Sequence, residues 1–271
     1  MSPGEKPLGT FDPYTPAEMA ARVEAGGVTK AALDLPRTLA LAVLAGAFIG
    51  LGAMVSTVAG TASSLGYGPS RLLAGLAFSL GLVLVLVGGA ELFTGNALIV
   101  MAWAERRVTS EALLRNWAIV YAGNFIGAAA TAVGVYLSGI HDLGNGEVAD
   151  TALAIATAKV SLSFGEAFFR GVFGNALVCL AVWLGFSART TTDKILGIVF
   201  PITAFVAAGF EHSIANMYFV PLGMLLSGEA SGGLTWSGFL LGNLLPVTLG
   251  NVAGGSVMVG LAYWFIYLRK R

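Results

Sequence analysis

The chain has 271 residues, of which 56% are hydrophobic and only 11% are charged, whereas charged residues make up about 25% of a soluble domain. So few charges cannot cover a surface that faces water, which excludes an ordinary soluble domain. A formal net charge of +0 offers no electrostatic attraction to nucleic acid. One cysteine and two histidines supply too few ligands for a cysteine or histidine metal cluster, so we expect no metal and no cofactor.

Residues 1–35 are polar and mixed in charge, and we expect them to form a cytoplasmic segment. Within it, residues 14–25 predict a short amphipathic helix, because Thr15 can cap the helix, Pro16 suits its first position and Glu18 completes a capping box. Such a helix would either lie on the cytoplasmic face of the membrane or plug a pore from below. The sequence leaves both alternatives open.

Six long runs with few or no charges follow, and they do not alternate as the strands of a transmembrane barrel would. A helix that spans the bilayer needs about 20 apolar residues. The runs therefore predict an all-α membrane protein with six transmembrane helices in one transmembrane domain, residues 36–268. We place the helices near residues 38–60, 71–102, 112–139, 164–187, 194–226 and 236–268.

The basic residues set the expected orientation of these helices. Of the 15 basic residues, 12 precede the first helix, follow the sixth, or lie in the loops after the second and fourth helices. Basic loops stay on the cytoplasmic side, so we expect both termini in the cytoplasm, with residues 269–271 as a basic tail. The stretch 141–158, on the far side, is predicted to be an acidic loop.

Two motifs occur twice in the chain, in the same order. Gly89–Asn96 and Gly209–Asn216 both read G-x-E-x4-N, and N-x6-GN-x2-G begins at Asn116 and again at Asn243. The chain therefore reads as two copies of a three-helix unit. Because three is an odd number of spans, the copies must insert in opposite orientations, which is the inverted 3+3 repeat of many transporters. The copies cover about residues 36–140 and 160–268.

The G-x-E-x4-N motifs fall midway along the second and fifth predicted helices. A charged side chain in the hydrocarbon core costs about 2.5 kcal/mol or more, and the Gly, Thr, Ser and Asn residues nearby favour a broken helix. Backbone groups that a break sets free must be bonded inside the protein or face water. The N-termini of the half-helices would direct partial positive charge at the midplane, which predicts a pathway for anions.

Most polar residues near the breaks have an expected structural role. Glu91 and Glu211 could shuttle protons, but we expect them to hold the breaks in shape by accepting hydrogen bonds from the freed backbone, together with Asn96, Asn216 and Asn175. Three pairs with G-x3-G spacing predict close packing between helices. They are Gly46 and Gly50, Gly123 and Gly127, and Gly250 and Gly254.

His212 is the strongest functional candidate, because it lies in the second break and imidazole takes up a proton near neutral pH. The alternative is a neutral, buried histidine. Thr94 offers a hydroxyl at the first break, and Lys159 is either solvated or attracts anions. Asn251 follows the run Pro246–Gly250, which reads as a broken stretch of its helix, and it either bonds a neighbouring helix or faces substrate. Four apolar residues could form gates against hydrated ions: Phe78, Leu82, Leu92 and Phe205.

Five stretches that contain these residues are similar to the sequences of a known family. They are GGAELFTGNALIV (88–100), NWAIVYAGNFIGA (116–128), GNALVCLAVW (174–183), GFEHSIANMYFVPLG (209–223) and NLLPVTLGNVAGGS (243–256). Through them the chain resembles the formate/nitrite transporter family. The resemblance implies a homopentamer in the lipid bilayer, an aquaporin-like protomer with broken second and fifth helices, and one pore per protomer.

The resemblance also implies roles for individual residues. His212 would be the central pore histidine, Thr94 its partner in the first break, and Asn251 its neighbour. Leu92 and Phe205 would form a constriction. Phe78 and Leu82 would line the pore, and Lys159 would supply positive charge in the outer vestibule.

We therefore expect a channel or transporter of a bacterial inner membrane that moves formate, with a proton supplied through His212, and not an enzyme. The runs AGGVTKAALDLP and FVPLG resemble the formate-channel branch, but Gly95 and Asn96 depart from the family pattern, so a nitrite or hydrosulfide channel is an alternative. A channel for water or ammonia is another. A membrane hydrolase using Glu211 and His212 would have too few ligands for a catalytic zinc.

Overall fold

A computed structural model of the chain describes residues 12–228 and 234–269. The N-terminal helix, α1 (Pro16–Ala31), begins where the sequence predicts, directly after Thr15. The Thr15 side chain accepts the backbone N–H of Glu18, and the Glu18 carboxylate accepts the backbone N–H of Thr15 at 2.6 Å, so the predicted capping box is present. The helix extends six residues beyond the predicted end. Residues 1–11 of the predicted cytoplasmic segment and residues 270–271 of the predicted tail lie outside the described residues.

Nine further helices follow, and the described residues contain no strand. They are α2 (Leu35–Gly60), α3 (Tyr67–Gly88), α4 (Phe93–Ala104), α5 (Ser110–Leu137), α6 (Glu147–Val160), α7 (Phe164–Ser187), α8 (Thr191–Ala207), α9 (Ser213–Ser227) and α10 (Gly238–Tyr267). Five of them, α2, α3, α5, α7 and α10, are long and apolar enough to cross a membrane. The described part of the chain is therefore all-helical, with the long apolar helices that a membrane protein requires.

The second and fifth predicted spans are both interrupted, at the two G-x-E-x4-N motifs. The first break, residues 89–92, separates α3 from α4, and the second break, residues 208–212, separates α8 from α9. Gly89 and Gly209 have φ angles of +86° and +73°. Glycine adopts these angles without the steric penalty that a Cβ brings, so the motif glycines allow the chain to leave the helix.

Two sequence interpretations are wrong. The stretch 141–158 is not a loop, because residues Glu147–Val160 form α6. In α6, Glu147 and Asp150 lie in the first turn and Lys159 lies in the last turn, where these charges complement the helix dipole. The charges that suggested a loop therefore belong to the ends of a helix. The run Pro246–Gly250 does not break its helix either. It lies within α10, between two stretches of wider π-helical turns.

The glycine pairs bring helix backbones into direct contact, as predicted. A Cβ atom on Gly127 would collide with the carbonyl oxygen of Val43 on α2, and a Cβ on Gly254 of α10 would collide with the carbonyl oxygen of Val172 on α7. Helix α5 therefore packs on α2 as α10 packs on α7, and both contacts depend on the absence of a side chain.

Gly127→Ala and Gly254→Ala are each expected to destabilise the protein by about 1–3 kcal/mol, because the added methyl group must push two backbones apart. The measurement is the thermal unfolding midpoint of the purified protein in detergent. Gly134→Ala on α5 is the matched control, since a Cβ there meets no atom within 4 Å. An equal loss of stability in the control would contradict this account of the packing.

Candidate functional site

A single asparagine bonds the backbone groups that the first break sets free. Asn124 of α5 donates from Nδ2 to the carbonyl oxygens of Ala42, at 2.7 Å, and Glu91, at 2.9 Å. Its Oδ1 accepts the backbone N–H of Phe93, the first residue of α4, at 2.9 Å. The backbone N–H of Glu91 donates to the carbonyl oxygen of Leu41. The break is therefore a bonded structure, as an interruption buried in a membrane protein must be.

Asn251 of α10 does the same for the second break. Its Nδ2 donates to the carbonyl oxygens of Gly171, at 2.8 Å, and Glu211, at 3.0 Å. Its Oδ1 accepts the backbone N–H of Ser213, the first residue of α9, at 2.8 Å. The backbone N–H of Glu211 donates to the carbonyl oxygen of Arg170. The sequence left open whether Asn251 bonds helices or faces substrate, and here the whole amide bonds backbone.

The glutamate of the first break is the centre of a polar cluster. Glu91 accepts hydrogen bonds from Lys30 Nζ at 2.6 Å and from Asn96 Nδ2 at 2.7 Å. Asn96 also donates to Asn116 Oδ1 at 3.0 Å, and Asn116 Nδ2 donates to the carbonyl oxygen of Lys30 at 3.2 Å. The cluster thus ties α1 and α5 to the break. The expectation that the Glu91 carboxylate accepts freed backbone N–H groups is wrong, because its donors are the side chains of Lys30 and Asn96.

The glutamate of the second break has the same partners. Glu211 accepts hydrogen bonds from Lys159 Nζ at 3.0 and 3.1 Å and from Asn216 Nδ2 at 2.6 Å. Asn216 also donates to Asn243 Oδ1 at 2.7 Å, and Asn243 Nδ2 donates to the carbonyl oxygen of Lys159 at 2.9 Å. Each contact of the first cluster therefore recurs in the second, with α6 in the place of α1.

Sequence reasoning missed Lys30, although the chain carries a signal for it. Lys30 and Lys159 both begin the pattern K-x2-L-[DS], and the last residue of the pattern, Asp34 or Ser163, caps the next helix. One copy of this pattern precedes the first spanning helix of each half. The two copies indicate that a short helix before the first spanning helix is part of the repeated unit. They also predict a lysine beside each glutamate.

The two breaks differ at one important position. His212 directly precedes α9, and its Nδ1 accepts the backbone N–H of Ala215 at 3.1 Å. A neutral ring therefore carries its proton on Nε2, which lies 2.9 Å from Thr94 Oγ1 and donates to it. The equivalent residue before α4 is Leu92, which has no side-chain hydrogen bond to the helix. The described part of the chain thus brings one imidazole to the place where the breaks meet.

Asn175 connects the two breaks from α7. Its Nδ2 donates to the carbonyl oxygen of Thr94 at 3.2 Å and to that of Asn251 at 2.6 Å. The thiol of Cys179, one turn along the same helix, also donates to the carbonyl oxygen of Thr94 at 3.3 Å. All four residues are completely buried, so the position of Thr94 relative to His212 is fixed by the protein interior.

One cavity reaches His212, and a second cavity lies at the first break. The larger cavity, of about 530 Å³, is lined by His212 and by four charged residues: Arg71, Lys159, Arg170 and Glu211. The smaller cavity, of about 400 Å³, is also lined by four charged residues: Arg22, Lys30, Lys194 and Glu91. Each cavity has three basic side chains and one glutamate, and the glutamate is paired with a lysine. Both cavities therefore carry an excess of positive charge.

Of the four predicted gate residues, two line a described cavity. The rings of Phe78 and Phe205, 6.0 Å apart, line the larger cavity, and Phe205 lies 6.1 Å from the His212 ring. Leu82 and Leu92 are almost completely buried in the same hydrophobic core and line neither cavity. Phe205 thus places an apolar ring directly beside His212.

Comparisons with known proteins agree on the relatives of this chain. The model of the formate/nitrite transporter family matches residues 17–265. The formate channel FocA of Escherichia coli (strain K12) is 42% identical over 275 residues, which covers 96% of both chains. A solved structure of a pentameric formate channel with formate bound is 38% identical, with a TM-score of 0.77 over 87% of this chain and 98% of the other. A solved FNT family ion channel is 29% identical, with a TM-score of 0.83 over 92% of this chain and 98% of the other.

Proposed function

The chain belongs to the formate/nitrite transporter family, and we propose that it is a formate channel of a bacterial inner membrane. Its similarity to the Escherichia coli formate channel and to a pentameric formate channel with formate bound supports formate as the substrate and a homopentamer as the assembly. The observation that carries the proposal is the buried Thr94–His212 pair, with one cationic cavity that reaches His212 and a second cationic cavity at the first break.

Each protomer has six transmembrane spans in this proposal, with the second and fifth broken, in an aquaporin-like inverted repeat. The recurrence of every contact around Glu91 and Glu211 supports a duplicated unit, and an odd number of spans per unit requires the two units to point in opposite directions. Because 12 of the 15 basic residues fall on one side, that side is cytoplasmic. The larger cavity then opens outward and the smaller cavity opens to the cytoplasm.

Formate is drawn into either cavity by the excess positive charge and then meets an apolar barrier. Phe78, Leu82, Leu92 and Phe205 form this barrier. A bare anion would lose its hydration there without gaining a counter-charge, and the cost of such desolvation is several kcal/mol. A proton lowers the cost, because formic acid is neutral, and the imidazole of His212 is the group in the barrier that can supply one.

The hydrogen bonds of His212 restrict how it supplies this proton. In the resting arrangement Nε2–H faces Thr94, and Nδ1 is occupied by the N–H of Ala215. Formate can take the Nε2 proton only if Nδ1 gains one, and Nδ1 can gain one only if the ring leaves the Ala215 N–H. Proton transfer is therefore coupled to a small movement of the ring at the start of α9, and Thr94 holds the ring in place between transfers.

Flux of small solutes into proteoliposomes tests the proposed substrate. We expect formate to pass faster than nitrite and hydrosulfide, and osmotic water flux to equal that of protein-free liposomes. Faster passage of nitrite or hydrosulfide would assign the chain to another branch of the family. Rapid water or ammonia passage with no formate passage would make it a channel for neutral solutes.

A further inference from the structure

We propose that the larger cavity contains a binding site for small dicarboxylates, formed by the guanidinium groups of Arg71 and Arg170. Both side chains line the cavity. The third basic residue there, Lys159, is compensated by Glu211, since both side chains are largely buried and their charged atoms are 3.0 Å apart. Neither arginine has a salt-bridge partner within 4 Å among the described residues. The net positive charge of the cavity is therefore that of two guanidinium groups.

Arg71 and Arg170 both lie in helices that are long and apolar enough to cross a membrane. Arg71 is in the second turn of α3, and Arg170 is in the second turn of α7. An ionisable residue in a spanning helix is costly unless it faces a water-filled cavity, and it then usually belongs to a functional site. Glu166, one turn before Arg170, is held by the backbone N–H and the hydroxyl of Ser163 and does not line the cavity.

Arg71 is held in position by the chain itself. Its Nη2 donates to the carbonyl oxygen of Val206, near the end of α8. Its Nε atom is buried and has no hydrogen-bond partner among the described residues. A guanidinium that is fixed in the wall of a cavity loses little side-chain entropy when its remaining terminal N–H groups bind an acceptor.

Two guanidinium groups in one cavity match a ligand with two carboxylates. The planar fork of arginine donates two parallel hydrogen bonds to a carboxylate, which makes this pairing strong and directional. The cavity volume of about 530 Å³ lies within the range of about 300–1,000 Å³ that is common for small-molecule sites. Apolar residues such as Tyr67, Ala154 and Ile155 also line it and can contact the methylene groups of a malonate or succinate.

A dicarboxylate bound in this site would block the passage of formate and would not itself be transported. This effect rests on the proposed function. One proton from His212 leaves such a ligand with a negative charge, so the apolar barrier continues to exclude it. The smaller cavity is a poorer site, because its guanidinium, on Arg22, lies 3.8 Å from the centre of the Tyr14 ring. Its remaining cations are Lys194 and the paired Lys30. Block is therefore expected from the side of the larger cavity.

Isothermal titration of the purified full-length pentamer tests the site without any transport. We expect malonate or succinate to bind once per protomer, at least about tenfold more tightly than acetate. Arg71→Gln and Arg170→Gln should each weaken dicarboxylate binding at least about tenfold, because each removes charged hydrogen bonds. Arg37→Gln is the control, since it removes an exposed arginine outside both cavities, and it should bind like the unaltered protein. If the Arg71→Gln variant does not fold, Arg71→Lys takes its place in the titration, because it keeps the positive charge and loses the planar pair of N–H donors.

Absence of dicarboxylate binding, or equal binding by the Arg170→Gln variant and the unaltered protein, would overturn the proposal. In proteoliposomes, dicarboxylate on the side of the larger cavity should slow formate flux, and Arg170→Gln should relieve the block. Binding without a block of measurable formate flux would contradict the blocking role. If no formate passes at all, the proposed function fails while the titration still decides on the site.

Discussion

Formate flux through the His212→Asn variant is expected to fall about 100-fold or more at mildly acidic pH, the low end of what general acid–base groups contribute. The flux that remains should lose its rise with falling pH. Asparagine can still accept the N–H of Ala215 through Oδ1, as His212 does through Nδ1, so the cap of α9 at the second break should be preserved. It cannot accept and release a proton, so formate would have to cross the apolar barrier as an anion.

The measurement is the initial rate of formate-driven swelling or internal acidification in proteoliposomes over a range of pH, with the rate of protein-free liposomes subtracted. The subtraction is needed because formic acid crosses lipid unaided. His141→Asn provides a matched control, as it makes the same substitution at the second histidine of the chain, which stacks on Tyr136. If His212→Asn keeps both the rate and the pH dependence, the histidine is not the source of the proton.

The sequence predicts the breaks because buried polar residues are rare in long apolar runs. Glu91, Glu211, Asn124 and Asn251 lie within such runs, and a buried polar group must find a partner. Their repetition at nearly constant offsets supplied the second argument, that of a duplicated unit. The structure adds the partners themselves, mainly backbone groups of helices α2 and α7.

The lysine partners of the glutamates do not follow from the apolar runs, and in the sequence only the repeated pattern K-x2-L-[DS] points to them. Lys30 and Glu91 are 61 residues apart, and Lys159 and Glu211 are 52 residues apart. Both lysines lie in amphipathic helices, where a lysine ordinarily faces water. Only the packing of α1 and α6 on the breaks makes them part of a buried cluster. The same applies to Arg71 and Arg170, which read as flanking charges until the larger cavity is seen between their helices.

Among the ion pairs of the described residues, the Lys159–Glu211 pair should be the most costly to break. The exposed fractions of the two side chains are 12% and 6%, whereas Lys30 in the equivalent pair is 34% exposed. Removing one partner of a buried pair costs about 3–5 kcal/mol, because the other charge is left buried and uncompensated. Lys159→Met and Glu211→Gln are therefore each expected to lower the free energy of unfolding by about this amount. Lys30→Met should cost less, because water reaches Lys30.

The double variant Lys159→Met with Glu211→Gln should recover much of this loss, since neither charge then remains buried alone. Thermal unfolding of the two single variants and the double variant in detergent gives the coupling energy. Lys194→Met is the control, because it removes a lysine that lines a cavity and has no salt bridge to a described residue. If the losses in the two single variants simply add in the double variant, the pair is not energetically coupled.

Formate flux through the same variants separates the structural role of Lys159 from a role in attracting the anion. Lys159→Met leaves the larger cavity with one net positive charge, while the double variant restores the two charges of Arg71 and Arg170. If the net charge of the cavity draws formate in, the double variant should recover flux together with stability. If the ammonium group itself binds formate on its way to His212, the double variant should recover stability and remain slow.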